Sequence, residues 1–241
     1  SSSQPNNQIP VGTGTGLTSS ESFTFDYINN NFKSSIDNTI SSTSSCQSAI
    51  IGGRYNDIVE NEGGVILGGT GNRICCGSDF SIISGGYVNR ICCHSEQSAI
   101  IGGRSNTVDG YSCNSTVIGG DGNCICGHDA LLDSFYYGSC NSAIVGGCDN
   151  RIVCDSSNSA IVGGCENKVC SYSDQSTIVG GECNQMFCNS HGSSIIGGYS
   201  NEINHQSECS AIIGGSNNCI GVSASNPVCN SGIFTGYQIN T

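Results

Sequence analysis

One short phrase is written ten times along the chain: Ser98-Ala99-Ile100-Ile101-Gly102-Gly103, followed by Asn106 and Val108. The first glycine of the pair falls at 52, 68, 85, 102, 119, 146, 163, 180, 197 and 214. The steps are 16, 17, 17, 17, 27, 17, 17, 17 and 17 residues. A fixed period of that length marks a solenoid, in which each repeat is one coil stacked on the last. The period predicts an all-β fold, a parallel β-solenoid (β-roll or β-helix) of about ten 17-residue coils.

Each position of the repeat has its own chemistry. With the first glycine as zero, position −2 is isoleucine or valine in every copy, and position +6 is isoleucine, valine or, once, Met186. β-Branched residues suit a half-buried extended backbone, so two of them eight residues apart fit two strands of one coil pointing into a shared core. The glycine pair between them allows a corner with positive φ. Position +4 is asparagine without exception: Asn56, Asn72, Asn89, Asn106, Asn123, Asn150, Asn167, Asn184, Asn201 and Asn218. Stacked coils would place these about 4.8 Å apart. At that spacing each amide can bond the amide above and below, as an internal ladder. Ten identical ligand groups along one edge is the competing reading.

Side chains alternate along a strand, so position −1 faces away from position −2. It reads Ile51, Leu67, Ser84, Ile101, Ile118, Val145, Val162, Val179, Ile196 and Ile213. Its same-face neighbour at −3 is mostly Ala, Thr or Ser. The expected result is a flat apolar strip along the outside of the stack, a feature rarely left in water. Either a wider coil buries both rows, or Ile51, Leu67, Ile101, Ile118, Val145, Val162, Val179, Ile196 and Ile213 form an interface between subunits of a trimer or filament.

The chain carries 18 cysteines among 241 residues and a formal charge of −12. The acidic balance argues against nucleic acid and anionic membrane surfaces as partners. No apolar run reaches transmembrane length, so membrane insertion is not expected. Cys75 and Cys92 lie one period apart, as do Cys76 and Cys93, and Cys148 and Cys165; Cys154, Cys170 and Cys188 continue the edge within a residue of register. Neighbouring coils fall within the Cα range of a disulfide. Bridges between coils would keep the stack from fraying and would place the chain in an oxidising space, outside the cell or on a particle surface. The alternatives are metal ligation and free thiols. Cys93-His94 and Cys126-Gly127-His128 set thiol beside imidazole, yet no paired C-x-x-C motif accompanies them, so no metal or cofactor is expected.

Outside the repeats the chain changes character. Residues 1–22 read as an extended Ser/Gly/Thr/Asn-rich arm without a core of its own. Residues 23–45 read as an amphipathic helix and linker: Phe25, Ile28, Phe32, Ile36 and Ile40 recur at three- and four-residue spacing, with Ser22 and Asp26 as caps. The solenoid itself spans 46–221. An insertion at 128–139 breaks the period and carries Leu132, Phe135, Tyr136 and Tyr137, a candidate ligand loop that could equally pack on its own or a neighbouring solenoid. Residues 222–241 read as a C-terminal cap with a decayed last coil.

The phrase Ser-Ala-Ile-Ile-Gly-Gly-x-x-Asn-x-Ile resembles the head repeats of trimeric autotransporter adhesins, and is similar to the glycine- and asparagine-rich solenoids of bacteriophage and large-virus fibre proteins. The resemblance spans residues 48–221 and is one of repeat grammar. It implies a parallel β-roll or β-helix, a trimer or fibre, and a surface role in structure or adhesion; it carries over no catalytic residue. The expected function is therefore non-enzymatic: a self-assembling, disulfide-stabilised fibre or filament subunit whose partner is itself, with a surface glycan or receptor as a further candidate partner. The alternative is a glycan-binding or glycan-cleaving β-helix of tailspike type. An ice-binding solenoid ranks below both, because it needs a regular outward row, usually of Thr, and Thr is sparse here.

Overall fold

The computed structural model describes residues 8–12, 17–26, 30–34, 37–41, 45–127, 138–221, 229–234 and 236–239. Two sheets run the length of a parallel β-solenoid, one of 14 strands and one of 11; apart from an N-terminal hairpin and a last strand that extend the first sheet, each coil contributes one short strand to each. Positions −3 to −1 build the first sheet and +5 to +7 the second. A third line of contact follows position +2, where isolated parallel bridges run from Arg54 and Thr70 to Ser216 and Tyr237. Register is held residue for residue: Ala143, Ile144 and Val145 pair with Ala160, Ile161 and Val162, and these pair with Thr177, Ile178 and Val179. The −2 and +6 rows meet between the sheets as one continuous aliphatic column from Ile50 to Ile220, fully buried in every coil.

A 17-residue coil has little room for apolar side chains, so polar columns fill its corners. The asparagine column is fully or almost fully buried. The Asn150 Oδ1 accepts the backbone N–H of Asn167 at 3.1 Å, and the Asn167 Oδ1 accepts that of Asn184 at 3.0 Å. The amide nitrogens mostly donate to carbonyls of the glycine corners, as Asn106 Nδ2 does to Gly102 and Gly120. Direct amide-to-amide bonds form at a few rungs, such as Asn167 Nδ2 to Asn150 Oδ1 at 3.2 Å. The ladder thus differs from a simple stack of amides. At the left-handed glycine corner the first glycine's carbonyl is met by the side-chain amide, while the second glycine's carbonyl takes both that amide and a backbone N–H of the preceding coil, as Gly120 does from Arg104. The two glycines answer different needs. Gly102 has φ +68 in open space, whereas a Cβ on Gly103, at φ +84, would collide with the Asn106 amide and the Gly120 carbonyl.

Two serine columns, unassigned by the repeat analysis, line the opposite corners. Ser98 accepts through its Oγ the N–H of Ser115 at 3.1 Å and donates to the Ser112 carbonyl at 3.1 Å. Ser112, at position −7, takes the N–H of Ser139 at 3.1 Å. Serine is small enough to bond two coils at once without displacing the aliphatic column. The signal was present in the recurrence of Ser at −4 and −7 in nine of the ten repeats.

Where a helix was expected across 24–41, the described residues form strands. Strands β1 (Gln8–Gly12) and β2 (Leu17–Asp26) form an antiparallel hairpin, and β2 pairs antiparallel with β3 (Asn31–Ser34), setting Phe25 opposite Phe32. Strand β3 and β4 (Thr39–Ile40) then start the two sheets, with Ile40 beside Ile58. Phe25, Phe32 and Ile40, counted as one helical face, therefore sit on three different strands; Ile28 and Ile36 lie outside the described residues. The reason is the open edge of the first coil. A strand satisfies its row of N–H and C=O groups, which a helix laid across it would leave unpaired. Asn38 is in fact a further rung, its Oδ1 accepting the Asn56 N–H at 3.0 Å. Asn38-Thr39-Ile40 repeats the Asn-x-aliphatic signature of the later coils. The stack thus has about eleven coils. At the other end Gly232–Phe234 adds a strand to the first sheet, and Ile239 takes the asparagine position, its N–H bonding Asn218 Oδ1 at 3.2 Å.

The 16-residue step leaves one flaw in these columns. Asn61 stands where other coils have the −7 serine, and Gly64 where they have the −4 serine. Both polar atoms of the buried Asn61 amide lack hydrogen-bond partners, and a Cβ on Gly64 would strike its Oδ1. Relieving one buried unpaired amide is worth about 1–3 kcal/mol. Asn61→Ser is therefore expected to raise the thermal unfolding midpoint, Gly64→Ser alone to lower it, and the double variant to exceed Asn61→Ser. Circular dichroism melts of the three check the order. A second expectation concerns an intact rung: Asn167→Leu strands the Asn184 N–H and leaves the Gly181 carbonyl with only its Cys165 N–H donor, and should cost about 2–5 kcal/mol in denaturant unfolding.

Candidate assembly face

The outer face of the first sheet is built from two rows. In-register pairing brings each −1 residue directly beside its equivalents, and each −3 residue likewise. The −1 row points into solvent: Ile51 is 51% exposed, Ile101 48%, Val162 43% and Ile196 45%. Leu67, Ile118, Val145 and Val179 are exposed as well, while Ile213 is half-buried. Burial of both rows by a wider coil is thereby excluded. Beside it runs the half-buried −3 row of Ala49, Ala99, Thr116, Ala143, Ala160, Thr177, Ser194 and Ala211. Where the large residue is missing at Ser84, the neighbouring −3 position is the large Ile82. From Ala49 to Phe234 the −3 and −1 rows contain no charged residue.

The second sheet presents a different surface. Its outward row at +5 reads Asp57, Arg73, Arg90, Thr107, Cys124, Arg151, Lys168, Gln185, Glu202 and Cys219. Arg73 lies between Asp57 and Arg90 in register, with an Arg73–Asp57 ion pair at 3.4 Å. Other exposed pairs also join neighbouring coils, as in Arg104–Asp121 at 2.8 Å and Arg54–Asp37 at 3.4 Å. Such solvated pairs add little stability. The two faces thus split the surface chemistry: one is apolar and uncharged, the other charged and sulfur-rich.

Three disulfides join described residues. Cys75–Cys92 and Cys148–Cys165 link adjacent coils, with Cα separations of 4.8 and 4.7 Å. Cys124–Cys126 closes within one strand, where alternation puts both side chains on the outward face, with a Cα separation of 5.9 Å. That bond was not expected from the period, which draws attention to neighbours in different coils. Cys76 and Cys93, expected as a bridge, are instead free thiols, as is Cys188. Burial and the Asp109 carboxylate push the Cys93 thiol up to about 11. Cys154 and Cys170 occupy neighbouring coils, Cys170 buried and Cys154 half-buried, and no bond joins either to Cys188.

The remaining site expectations fall elsewhere. The asparagine ladder is interior, so it offers no row of ligand groups to solvent. Leu132, Phe135, Tyr136 and Tyr137 lie outside the described residues. Among the described residues no three His, Cys, Asp or Glu side chains converge in a geometry that could hold a metal ion. No protein-family model matches the chain, and no curated protein matches it.

Adjacent residues on one strand should separate folding from surface chemistry. Ile161→Asp places a charge in the fully buried column and should abolish the cooperative β-sheet melt. Val162→Asp, on the exposed row, should keep the far-ultraviolet spectrum and shift the midpoint by no more than about 1 kcal/mol equivalent.

Proposed function

We propose that this chain is a non-enzymatic structural subunit that assembles with copies of itself through the uncharged face of its first sheet, outside the cell or on a cell or virion surface. A disulfide-braced β-solenoid is itself consistent with a structural role. The observation that carries the finer reading is the absence of charge along the −3 and −1 rows of a chain whose formal charge is −12. Two acidic copies approach most easily where neither presents a carboxylate. The face is also self-complementary: a large row flanks a small one, so a copy turned to oppose it sets its large row over the partner's small row. The spacing of about 4.8 Å along both rows matches another ladder of the same kind.

Magnitude favours a long overlap. Each −1 side chain is already about half covered, so completing its burial is worth roughly 1 kcal/mol. Association of two molecules costs on the order of 4–15 kcal/mol. A few coils cannot offset that, whereas the whole strip reaches the same order. The intercoil disulfides support this reading by holding the strip straight and by fitting an oxidising environment.

Sedimentation velocity of the purified protein tests the reading. Assembly into a trimer or longer rods is expected, visible also by negative-stain electron microscopy, with reductant loosening the particles. Combining Val162→Asp with Ile196→Asp should lower the association constant by at least about a hundredfold, with unchanged secondary structure. A wild-type protein that sediments as a monomer at all accessible concentrations would refute self-assembly.

A further inference from the structure

Cys113 and Cys140 occupy the same position, −6, of consecutive coils, although 27 residues of chain step separate them. The insertion lies between them, so this junction is the one with the long step. Their backbones are locked in register on both sides. The Asn141 N–H donates to the Cys113 carbonyl at 2.9 Å, Ser139 bonds Ser112 Oγ at 3.1 Å, and Ser142 bonds Ser115 Oγ at 3.1 Å. In-register neighbours in parallel sheets sit about 4.8 Å apart, inside the Cα range of a disulfide. The same chain demonstrates the point, since Cys75–Cys92 and Cys148–Cys165 join equivalent positions at 4.8 and 4.7 Å. Both thiols are half-buried rather than sealed: Cys113 donates to the His94 carbonyl at 3.3 Å and also meets the Glu96 backbone and the Cys140 thiol, and Cys140 donates to the Tyr111 carbonyl at 3.1 Å.

We propose that Cys113 and Cys140 form an oxidative modification site, a fourth disulfide that closes across the junction carrying the insertion. With oxidised glutathione as the two-electron acceptor, the thiolate of one cysteine attacks a glutathione sulfur and expels one glutathione thiolate. The second cysteine thiolate then attacks the resulting mixed disulfide and expels the other. Two protein thiols are oxidised, two glutathiones leave reduced, and the two thiol protons end on them. Rotation of both side chains away from their carbonyl acceptors suffices, because the backbone is already placed by the flanking serine rungs. Burial, and next the proximity of Cys140, hold the Cys113 thiol above its ordinary range, so closure accelerates as pH rises.

The intact protein, incubated with oxidised glutathione, alkylated and digested without reduction, tests this by mass spectrometry. A peptide pair joined through Cys113 and Cys140, lighter by two hydrogens, is expected, with both residues lost to alkylation together. The unfolding midpoint should rise by roughly 5–10 °C. In Cys113→Ser the rise should vanish, and Cys140 should be recovered as its mixed disulfide with glutathione. Recovery in the wild-type protein of Cys113 and Cys140 as separate glutathione adducts, as alkylated thiols, or bonded to other cysteines would overturn the proposal.

Discussion

Every coil must satisfy the inward-facing backbone groups of its corners without water, and the rest of the structure depends on how it does so. Strands of two or three residues bond their neighbours through the sheet ladders. The turns between them do so only in part, through backbone bonds such as those of the Arg104 N–H to the Gly120 carbonyl and the Ser105 N–H to the Tyr87 carbonyl. Asparagine at one corner and serine at two others supply the missing partners, each bonding one coil to the next. An unpaired buried polar group costs about 1–3 kcal/mol, comparable with the burial of one aliphatic side chain. The polar columns are therefore as necessary as the apolar one, and they explain why a 17-residue coil tolerates so little variation at these positions.

This inner order dictates the outer surface. Strict register along the interior forces strict register outside, because side chains alternate along each strand. A row of isoleucine and valine on the first sheet becomes a continuous strip, and a row of mixed charges on the second sets the Arg73–Asp57 ion pair beside Arg90. The cysteines follow the same logic. Two of the observed bridges join coils at equivalent positions, at different corners of the cross-section, so they resist fraying without altering the ladder.

The first coil shows how far such a template can be degraded. It lacks the glycine pair and most of the consensus, yet Asn38 and Ile40 hold their places, and Asn31 offers its Oδ1 to the Ser48 N–H at 2.9 Å. The neighbouring coil presents an array of unsatisfied groups, and a segment with an amide at the right position can complete it. Local spacing suggested a helix there because Phe25, Phe32 and Ile40 fall at helical intervals. The edge of a sheet outweighs that weak local preference.

The sequence by itself determined the solenoid, the identity of the buried aliphatic column, the asparagine rungs, the outward row and the stacking of Cys75 on Cys92 and of Cys148 on Cys165, though not which stacked pairs bond. All of these rest on recurrence at one period, and a period translates directly into stacking. The tertiary structure alone decided that the asparagines bond mainly backbone, that serines complete the corners, that Asn31–Ser34 and Thr39–Ile40 are strands of a first coil, and that Cys76 and Cys93 remain thiols while Cys124 and Cys126 bond. Each of these depends on where a donor meets an acceptor, or one sulfur meets another, within a few tenths of an ångström. Spacing along the chain places residues on a face and in a coil; it does not set the direction of a side chain at a corner.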